Sequence, residues 1–248
     1  GVRLARGRFI AFLDSDDAFL ADRLAEGLTC QRHTGAAVVY SQIYVDRGVG
    51  RLWAKPKRAI AAGEDIFDYL FVSRGLFHLS TMLVESALAR RCPFHDDVLY
   101  GDDYQFAVDL RRSGARFAMV ERPLAIYRDH GHAAQLSQRP MLADAASPLN
   151  RGFIAWVDRE RPQMSERAWL AYRAGFLARF CARSAPIEAL RMIWQAHRAG
   201  GLREFGTLRL ALQVFLPDAY RRLADTVAGL SGHVPGGEVE AVRRLVQA

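Results

Sequence analysis

The chain has 248 residues, half of them hydrophobic, which suits one sizeable core or a core with a small second domain. Its three cysteines are widely spaced and odd in number, which argues against a disulfide framework or a zinc site. Most of the net charge of +7 lies in residues 151–248, which contain 15 Lys+Arg and 9 Asp+Glu. Such a basic excess suits an anionic partner. Nucleic acid is a poor fit, because the basic residues lack interleaved recognition motifs.

The first part of the chain alternates short apolar runs with helical patterns. "FIAFL" (9–13) predicts a strand that is buried on both faces, as in a parallel sheet. Residues 22–33 predict a helix closed by Gly35, and 36–41 predict a second buried strand. Residues 46–62 carry Gly, Pro and scattered charges, which is typical of a loop.

The alternation continues to about residue 128. The predicted elements are a short helix at 63–71, a strand at 78–84, a helical turn at 85–91, an amphipathic helix at 103–114, and two strands at 116–120 and 124–128. Strands that alternate with helices in this way predict an α/β fold.

From about residue 144 helical patterns dominate, so the sequence divides into a first domain at 1–143 and a helical region at 144–248. The amphipathic segment "LRLALQVFLPDAYRRL" (208–223) has two interpretations. It can lie on an anionic bilayer, or it can pack on the first domain, which we favour. The basic excess can equally be a solvated helical surface.

The first buried strand runs directly into three carboxylates at 14, 16 and 17. In an extended chain Asp14 and Asp16 project to the same side, at the sheet edge where α/β proteins bind ligands. Paired carboxylates repel unless a cation lies between them, and Mg²⁺ or Mn²⁺ suits such oxygen ligands. The alternative is that the acidic residues cap the next helix, a role open to Asp17 or Asp22.

A second acidic cluster begins the helix "DDYQFAVDLRR". Asp103, Phe106 and Leu110 share one helix face, so Asp103 is expected to point inward over the sheet edge. A carboxylate held there is a candidate general base. The alternative is that both aspartates stabilise the helix N-terminus, which explains Asp102 better than Asp103.

The third cluster is "YRDHGH", in which Arg128 follows an apolar strand and His130 lies two residues further on. Neutral histidine is a common ligand for Mn²⁺ beside carboxylates. A single loop histidine is also often plain polar surface, so His130 alone predicts little.

These three clusters, in this order, resemble a family 2 nucleotide-sugar glycosyltransferase of the GT-A fold. In that family a segment similar to "GVRLARGRFIAFLDSDDAFLADRL" carries the Asp-x-Asp motif, and one similar to "FHDDVLYGDDYQFAVDLRRSG" carries the catalytic carboxylate. The resemblance covers about residues 1–140. It implies an incomplete GT-A (Rossmann-like) mixed sheet flanked by helices, followed by the all-α C-terminal region.

The resemblance also implies roles on the donor side. Asp14 and Asp16 would flank the ribose and diphosphate of the donor, with Asp16 as the direct metal ligand and Arg128 among the donor-binding residues. His130 would face the metal or the diphosphate. The implied donor is a nucleoside-diphosphate sugar, with a UDP-sugar expected, and the implied cofactor is Mn²⁺ or Mg²⁺.

On the acceptor side, Asp103 would be the base that deprotonates the acceptor hydroxyl, and Asp102 would support it. Members of the family invert the anomeric configuration, which requires one catalytic carboxylate. Trp53 is expected either to stack on a sugar or to cover the core. Ser80 and Thr81 are expected to line the acceptor side.

Members of the family begin with βα units that bind the nucleotide base, and nothing in this sequence matches them. The resemblance therefore implies an N-terminally truncated fragment with an unpaired sheet edge, whose activity on its own is in question. The parent enzyme would transfer sugars to a glycan or lipid-linked acceptor in polysaccharide or cell-surface glycan synthesis. It would be cytoplasmic, with a peripheral contact on the inner face of the membrane.

Two other classes of protein remain open at this point. A non-catalytic relic of the fold could dock on carbohydrate or membrane, which the basic helical region supports weakly. A haloacid dehalogenase-type phosphohydrolase also places Asp-x-Asp after a buried strand. That class requires a later lysine, and both lysines of this chain, Lys55 and Lys57, lie in one predicted loop.

Overall fold

A mixed β-sheet forms the centre of the computed structural model, which describes residues 1–129, 144–234, 236–237 and 239–242. Its six strands in the described part are β1 (Phe9–Ala11), β2 (Ala18–Phe19), β3 (Val38–Asp46), β4 (Leu52–Lys55), β5 (Leu83–Glu85) and β6 (Phe117–Arg128). Their order is β1-β5-β3-β6-β2, with β4 paired to β3 outside this path. Only β3 and β6 run parallel to each other, and the other pairs are antiparallel.

Helices flank this sheet and make up the C-terminal part. They are α1 (Arg23–Thr34), α2 (Ser86–Arg91), α3 (Asp102–Arg112), α4 (Pro148–Glu160), α5 (Glu166–Tyr172), α6 (Ala178–Cys181), α7 (Pro186–Arg198), α8 (Glu204–Phe215) and α9 (Pro217–Ser231). Short 3₁₀ or π segments lie at Asp68–Val72, Leu79–Thr81, Arg161–Gln163 and Arg173–Leu177. The predicted class, a mixed α/β sheet followed by a helical region, is confirmed.

Strand β1 corrects one expectation. It lies at one end of the strand order, runs antiparallel to β5, and is only half-buried, so a fully buried strand in a parallel sheet was the wrong prediction. Its apolar run has a different cause. Ile10 packs on the main core and Phe9 on a small separate cluster, so both faces of the strand meet apolar side chains.

The two predicted strands near residue 120 are one strand, β6. Ser41 of β3 pairs with Val120, and the next residue, Gln42, pairs with Pro123, so two residues of β6 are skipped in a bulge. Proline lacks the N–H that a ladder needs, and bulges tolerate it. The segment predicted as a loop at 46–62 also contains β4, which pairs with the end of β3.

The C-terminal helices contribute to two cores. Phe153 and Trp156 of α4 and Tyr172 of α5 are buried in the same cluster as the helix-facing side of the sheet. A second cluster joins residues between Ala174 and Val214. A domain boundary at residue 143 stays a prediction. No helix in the described ranges is both long and apolar enough to cross a bilayer.

Candidate active site

A cleft of about 780 Å³ opens where the loop after β1, the end of β6 and the start of α3 meet. Its lining brings together five residues that the sequence predicted as site residues: Asp14, Asp16, Asp102, Asp103 and Arg128. Three separate sequence clusters therefore share one surface, although Asp16 and Asp102 are 86 positions apart along the chain.

The acidic loop after β1 is a tight turn and not an extended segment. The N–H of Asp17 donates to the carbonyl of Asp14 at 3.1 Å, which closes the turn across Ser15 and Asp16. The carboxylates of residues i and i+3 therefore approach each other. The segment is therefore a turn and not the extended chain that the sequence predicted, although Asp14 and Asp16 both line the cleft.

Ser80 holds this turn in place. Its hydroxyl donates to Asp17 Oδ2 at 2.6 Å and accepts from the N–H of Asp14 at 3.1 Å. Ser80 is fully buried, in the 3₁₀ turn that precedes β5. The same turn begins after His78, so the segment that fixes the acidic loop also delivers a histidine to it.

Asp14, Asp17 and His78 form a candidate metal site, with one ligand atom from each lying within 4.8 Å of the others. His78 Nδ1 lies 3.5 Å from Asp17 Oδ2 and 3.8 Å from Asp14 Oδ2. In the described part of the chain, His78 Nδ1 and Asp17 Oδ1 are buried without a hydrogen-bond partner. Buried polar atoms usually have partners, so a nitrogen and an oxygen without partners on two residues of the same cluster fit a bound cation.

The electrostatics of the three groups agree with this geometry. Burial, with the neighbouring charges of Asp102 and Asp16, raises the pKa of Asp14 to about 6. Burial raises the pKa of Asp17 to about 7 and lowers that of His78 to about 4. His78 is therefore a neutral imidazole at pH 7 and does not compensate the charge of the two carboxylates. Neutral imidazole and carboxylate oxygen are ligands that Mn²⁺ accepts.

Helix α3 carries the second acidic pair on the cleft wall. Phe106 and Leu110 are fully buried, as their helical spacing with Asp103 predicted. The helix is preceded by Gly101 at φ +78°, where an added Cβ would lie 2.5 Å from the Phe153 ring. Glycine thus permits both the left-handed turn and the close contact with Phe153 of α4.

Asp103 lies in an environment that disfavours its charged form. Burial, with the nearby carboxylates of Asp102 and Asp14, raises its pKa to about 8. Its Oδ1 accepts one hydrogen bond, 2.8 Å long, from the N–H of Tyr104. A carboxylate whose pKa is raised toward neutrality at a cleft wall is suited to accept a proton from a bound hydroxyl.

The end of β6 joins the site through Arg128 and Tyr127. Arg128 Nε donates to the carbonyl of Asp16 at 2.6 Å, which ties the strand end to the acidic turn. The Tyr127 ring lies 5.0 Å from the His78 ring, centroid to centroid. His130, which the resemblance assigned to the metal, lies outside the described residues.

The predicted acceptor residues lie elsewhere. Ser80 and Thr81 are buried and do not line the cleft, and Ser80 acts on the acidic turn. Trp53 lines a neighbouring cavity, where the Arg47 guanidinium lies 4.6 Å from its ring centroid. An acceptor role for these three residues stays a prediction.

Sequence reasoning missed two members of the candidate metal site. Asp17 was considered only as a helix cap, and His78 was included in a strand prediction without comment. The i, i+3 spacing of a turn could have indicated Asp17. No local signal indicated His78, because it reaches the acidic loop only through the pairing of β5 with β1 and β3.

Comparison with known proteins gives three findings. Residues 1–98 match the model of the family described as "Glycosyl transferase family 2". The chain is 27% identical over 179 residues to the amylovoran biosynthesis glycosyltransferase AmsB of Erwinia amylovora, a match that covers 70% of this chain and 57% of that protein. It is 26% identical over 128 residues to the uncharacterized glycosyltransferase MJ1057 of Methanocaldococcus jannaschii, which covers 51% of this chain and 44% of that protein. The chain thus spans about half the length of these curated relatives.

Proposed function

Because residues 1–98 match the model of glycosyltransferase family 2, we propose that the protein transfers a sugar from a nucleoside-diphosphate sugar to a hydroxyl of a glycan or lipid-linked acceptor. One observation carries the proposal: the Asp14–Asp17–His78 site and the raised-pKa carboxylate of Asp103 line or adjoin one cleft. The Erwinia relative is named for amylovoran biosynthesis, which supports polysaccharide or cell-surface glycan synthesis as the context of the reaction.

The donor is expected to bind with its diphosphate near the acidic turn. That end of the cleft is dominated by carboxylates, so a diphosphate could bind there only with a cation between them. Asp14, Asp17 and His78 would hold Mn²⁺ or Mg²⁺, and Asp16 at the same rim remains a candidate ligand. When bound, such an ion neutralises the charge of the leaving diphosphate. Arg128, fixed by its bond to the Asp16 carbonyl, is the candidate cationic contact from protein.

Asp103 is proposed as the base for a single displacement with inversion. It takes the proton of the acceptor hydroxyl, whose oxygen bonds to the anomeric carbon as the bond from that carbon to the diphosphate oxygen breaks. Only one carboxylate is required, because no covalent intermediate forms. Asp102, whose pKa is also raised by burial, lies beside the base and increases its affinity for the proton.

The test is the release of UDP from a panel of UDP-sugars by the full-length gene product, with Mn²⁺ or with EDTA. We expect release with Mn²⁺ and a loss of at least about tenfold with EDTA, because the site carboxylates otherwise repel the diphosphate. Parallel GDP- and dTDP-sugars check the expected preference for UDP. If no nucleoside-diphosphate sugar is bound or cleaved with Mn²⁺, nor with Mg²⁺ in its place, the proposed function is wrong.

We also propose a peripheral contact with the cytoplasmic face of a membrane, made by helix α7. Ile187, Leu190 and Trp194 are 74%, 51% and 59% exposed and lie on one helix face. On the same face, the Arg198 guanidinium lies 5.6 Å from the Trp194 ring centroid. An apolar stripe flanked by arginine matches the requirements of an anionic bilayer surface.

Pelleting with phosphatidylglycerol vesicles tests this contact. The wild-type protein should pellet at low salt and be released at high salt, since the attraction is partly electrostatic. A Trp194→Ser and Ile187→Ser double variant should lose most of the pelleting, whereas Leu4→Ser, equally apolar and 83% exposed, should not. Equal pelleting of all three proteins, or none at low salt, would contradict the proposal.

A further inference from the structure

A second cavity of about 780 Å³ lies beside the candidate active site, between β4 with its following loop and the helices α8 and α9. Four residues line both spaces: Lys55, Leu76, Tyr104 and Phe176. Tyr104 follows Asp103 directly in α3, so the wall between the two spaces stands next to the proposed base. A ligand in the second cavity can therefore extend toward Asp103.

The second cavity is basic, in contrast to the acidic cleft. Lys55, Arg74 and Arg209 all line it, and in the described ranges none of the three forms an ion pair with a carboxylate. By comparison, the nearby Arg58 is paired with Glu64 at 2.6 Å. Unlike Arg58, these three cations have no ion-pair partner in the described ranges, although the charge of Asp129 acts on Lys55 from a longer distance.

Three features show that these cations are held in place at a cost. The pKa of Arg74 is lowered mainly by burial and secondly by the charge of Arg209. The pKa of Lys55 is lowered mainly by burial and secondly by the charge of Arg47. The Nε of Arg209 is buried without a hydrogen-bond partner in the described structure. Arg74 is also a non-glycine residue with a positive φ, of 54°. Strained backbone and unpaired buried donors are concentrated at ligand sites.

We propose that this cavity binds an oxyanion of the acceptor, a phosphate or a carboxylate, on Lys55, Arg74 and Arg209. The inference rests on the proposed function and adds the chemical class of the acceptor to it. The carboxylates of the cleft would repel an anionic acceptor, whereas the second cavity attracts one. The anionic group would then lie among the three cations, with the reacting hydroxyl directed past Tyr104 to Asp103.

A comparison of kcat/KM for three acceptors tests the proposal in the full-length gene product. Three acceptors differ only in the group at carbon 6 of the sugar: octyl glucoside carries a hydroxyl, octyl glucoside 6-phosphate a phosphate, and octyl glucuronide a carboxylate. The wild-type protein should use one of the two charged acceptors with a kcat/KM at least about tenfold above that of the neutral one, since charge-assisted hydrogen bonds contribute on that scale. The charged acceptor with the higher kcat/KM identifies the bound group as a phosphate or a carboxylate.

Two variants and one control locate the effect. Arg209→Gln and Arg74→Asn, in which asparagine tolerates the positive φ, should each lower the ratio of charged to neutral kcat/KM by about tenfold. Arg222→Gln removes the same charge from an exposed position on α9 outside the cavity and should leave the ratio unchanged. A ratio near one in the wild-type protein, or one that neither cavity variant lowers, would overturn the proposal.

A binding measurement separates this inference from the proposed function. Calorimetry with inorganic diphosphate in EDTA should show binding that Arg209→Gln weakens and Arg222→Gln does not. If UDP-sugars are not cleaved but this pattern holds, the oxyanion site stands and the proposed function fails. If UDP-sugars are cleaved but Arg209→Gln binds diphosphate as the wild-type protein does, the oxyanion site is wrong.

Discussion

Replacing Asp103 with asparagine is expected to lower kcat for sugar transfer by about 10²–10⁴-fold, the usual contribution of a positioned general base. The amide keeps the shape of the side chain and can accept the 2.8 Å hydrogen bond from the Tyr104 N–H, but it cannot take up a proton. The dissociation constant for the UDP-sugar should change little, because the acidic turn and His78 stay in place. Steady-state kinetics and equilibrium donor binding check the two halves of this expectation.

The pH profile gives the same prediction a second readout. Burial and two neighbouring carboxylates raise the pKa of Asp103 to about 8, so the free protein holds this group protonated at pH 7. The basic form increases as pH rises, and kcat/KM should therefore rise up to about pH 8 and then level. Asp103→Asn should lose this rise. A variant that keeps both the wild-type rate and the wild-type profile would exclude Asp103 as the base.

Unfolding can be separated from loss of chemistry in this variant. Asp103 has a folded pKa above its unfolded value, so the folded state binds an extra proton between about pH 4 and pH 8, and stability falls as pH rises through that window. The neutral amide removes this penalty. The melting temperature of Asp103→Asn should thus equal or exceed that of the wild type at pH 8. Asp96→Asn, an exposed change in the loop before α3, is the matched control for activity.

Replacing Asp17 with asparagine is the change with the second largest expected effect. It should weaken Mn²⁺ binding by at least about 10–100-fold. Loss of a residue that only hydrogen-bonds a metal ligand already costs this much affinity, and Asp17 is proposed as a ligand itself. Asp17 lies 3.5 Å from His78 and has a buried oxygen without a partner, so its charge serves the proposed cation directly. The amide oxygen can still accept from the Ser80 hydroxyl, so the acidic turn should keep its shape. Titration of Mn²⁺ followed by electron paramagnetic resonance measures the affinity.

Two further variants decide between the ligand predicted from sequence and the one favoured by geometry. Asp16→Asn should affect Mn²⁺ affinity less than Asp17→Asn if Asp14, Asp17 and His78 are the ligands. His78→Gln should weaken binding as Asp17→Asn does. Asp22→Asn, an exposed carboxylate paired with Arg122 at the start of α1, should leave the affinity unchanged. A larger effect from Asp16→Asn than from Asp17→Asn would restore the sequence-based assignment.

Local patterns in the sequence were sufficient for several features. The helix that ends at Gly35 and the inward face of α3 with Phe106 were both predicted and are present. Each depends on residues within a few positions of one another, through helical spacing or the freedom of glycine. The order of the three polar clusters was also enough to predict a resemblance to family 2 glycosyltransferases, and residues 1–98 match the model of that family.

Features that depend on distant segments were decided by the tertiary structure. His78 and Ser80 reach Asp17 across more than 60 residues, because β5 pairs with both β1 and β3. The basic cavity joins Lys55 of β4 to Arg209 of α8, and no periodicity links those positions. The sequence by itself determined which chemistry the chain carries in its local motifs. Which side chains meet was decided only by folding, since packing and strand pairing select contacts that local spacing does not specify.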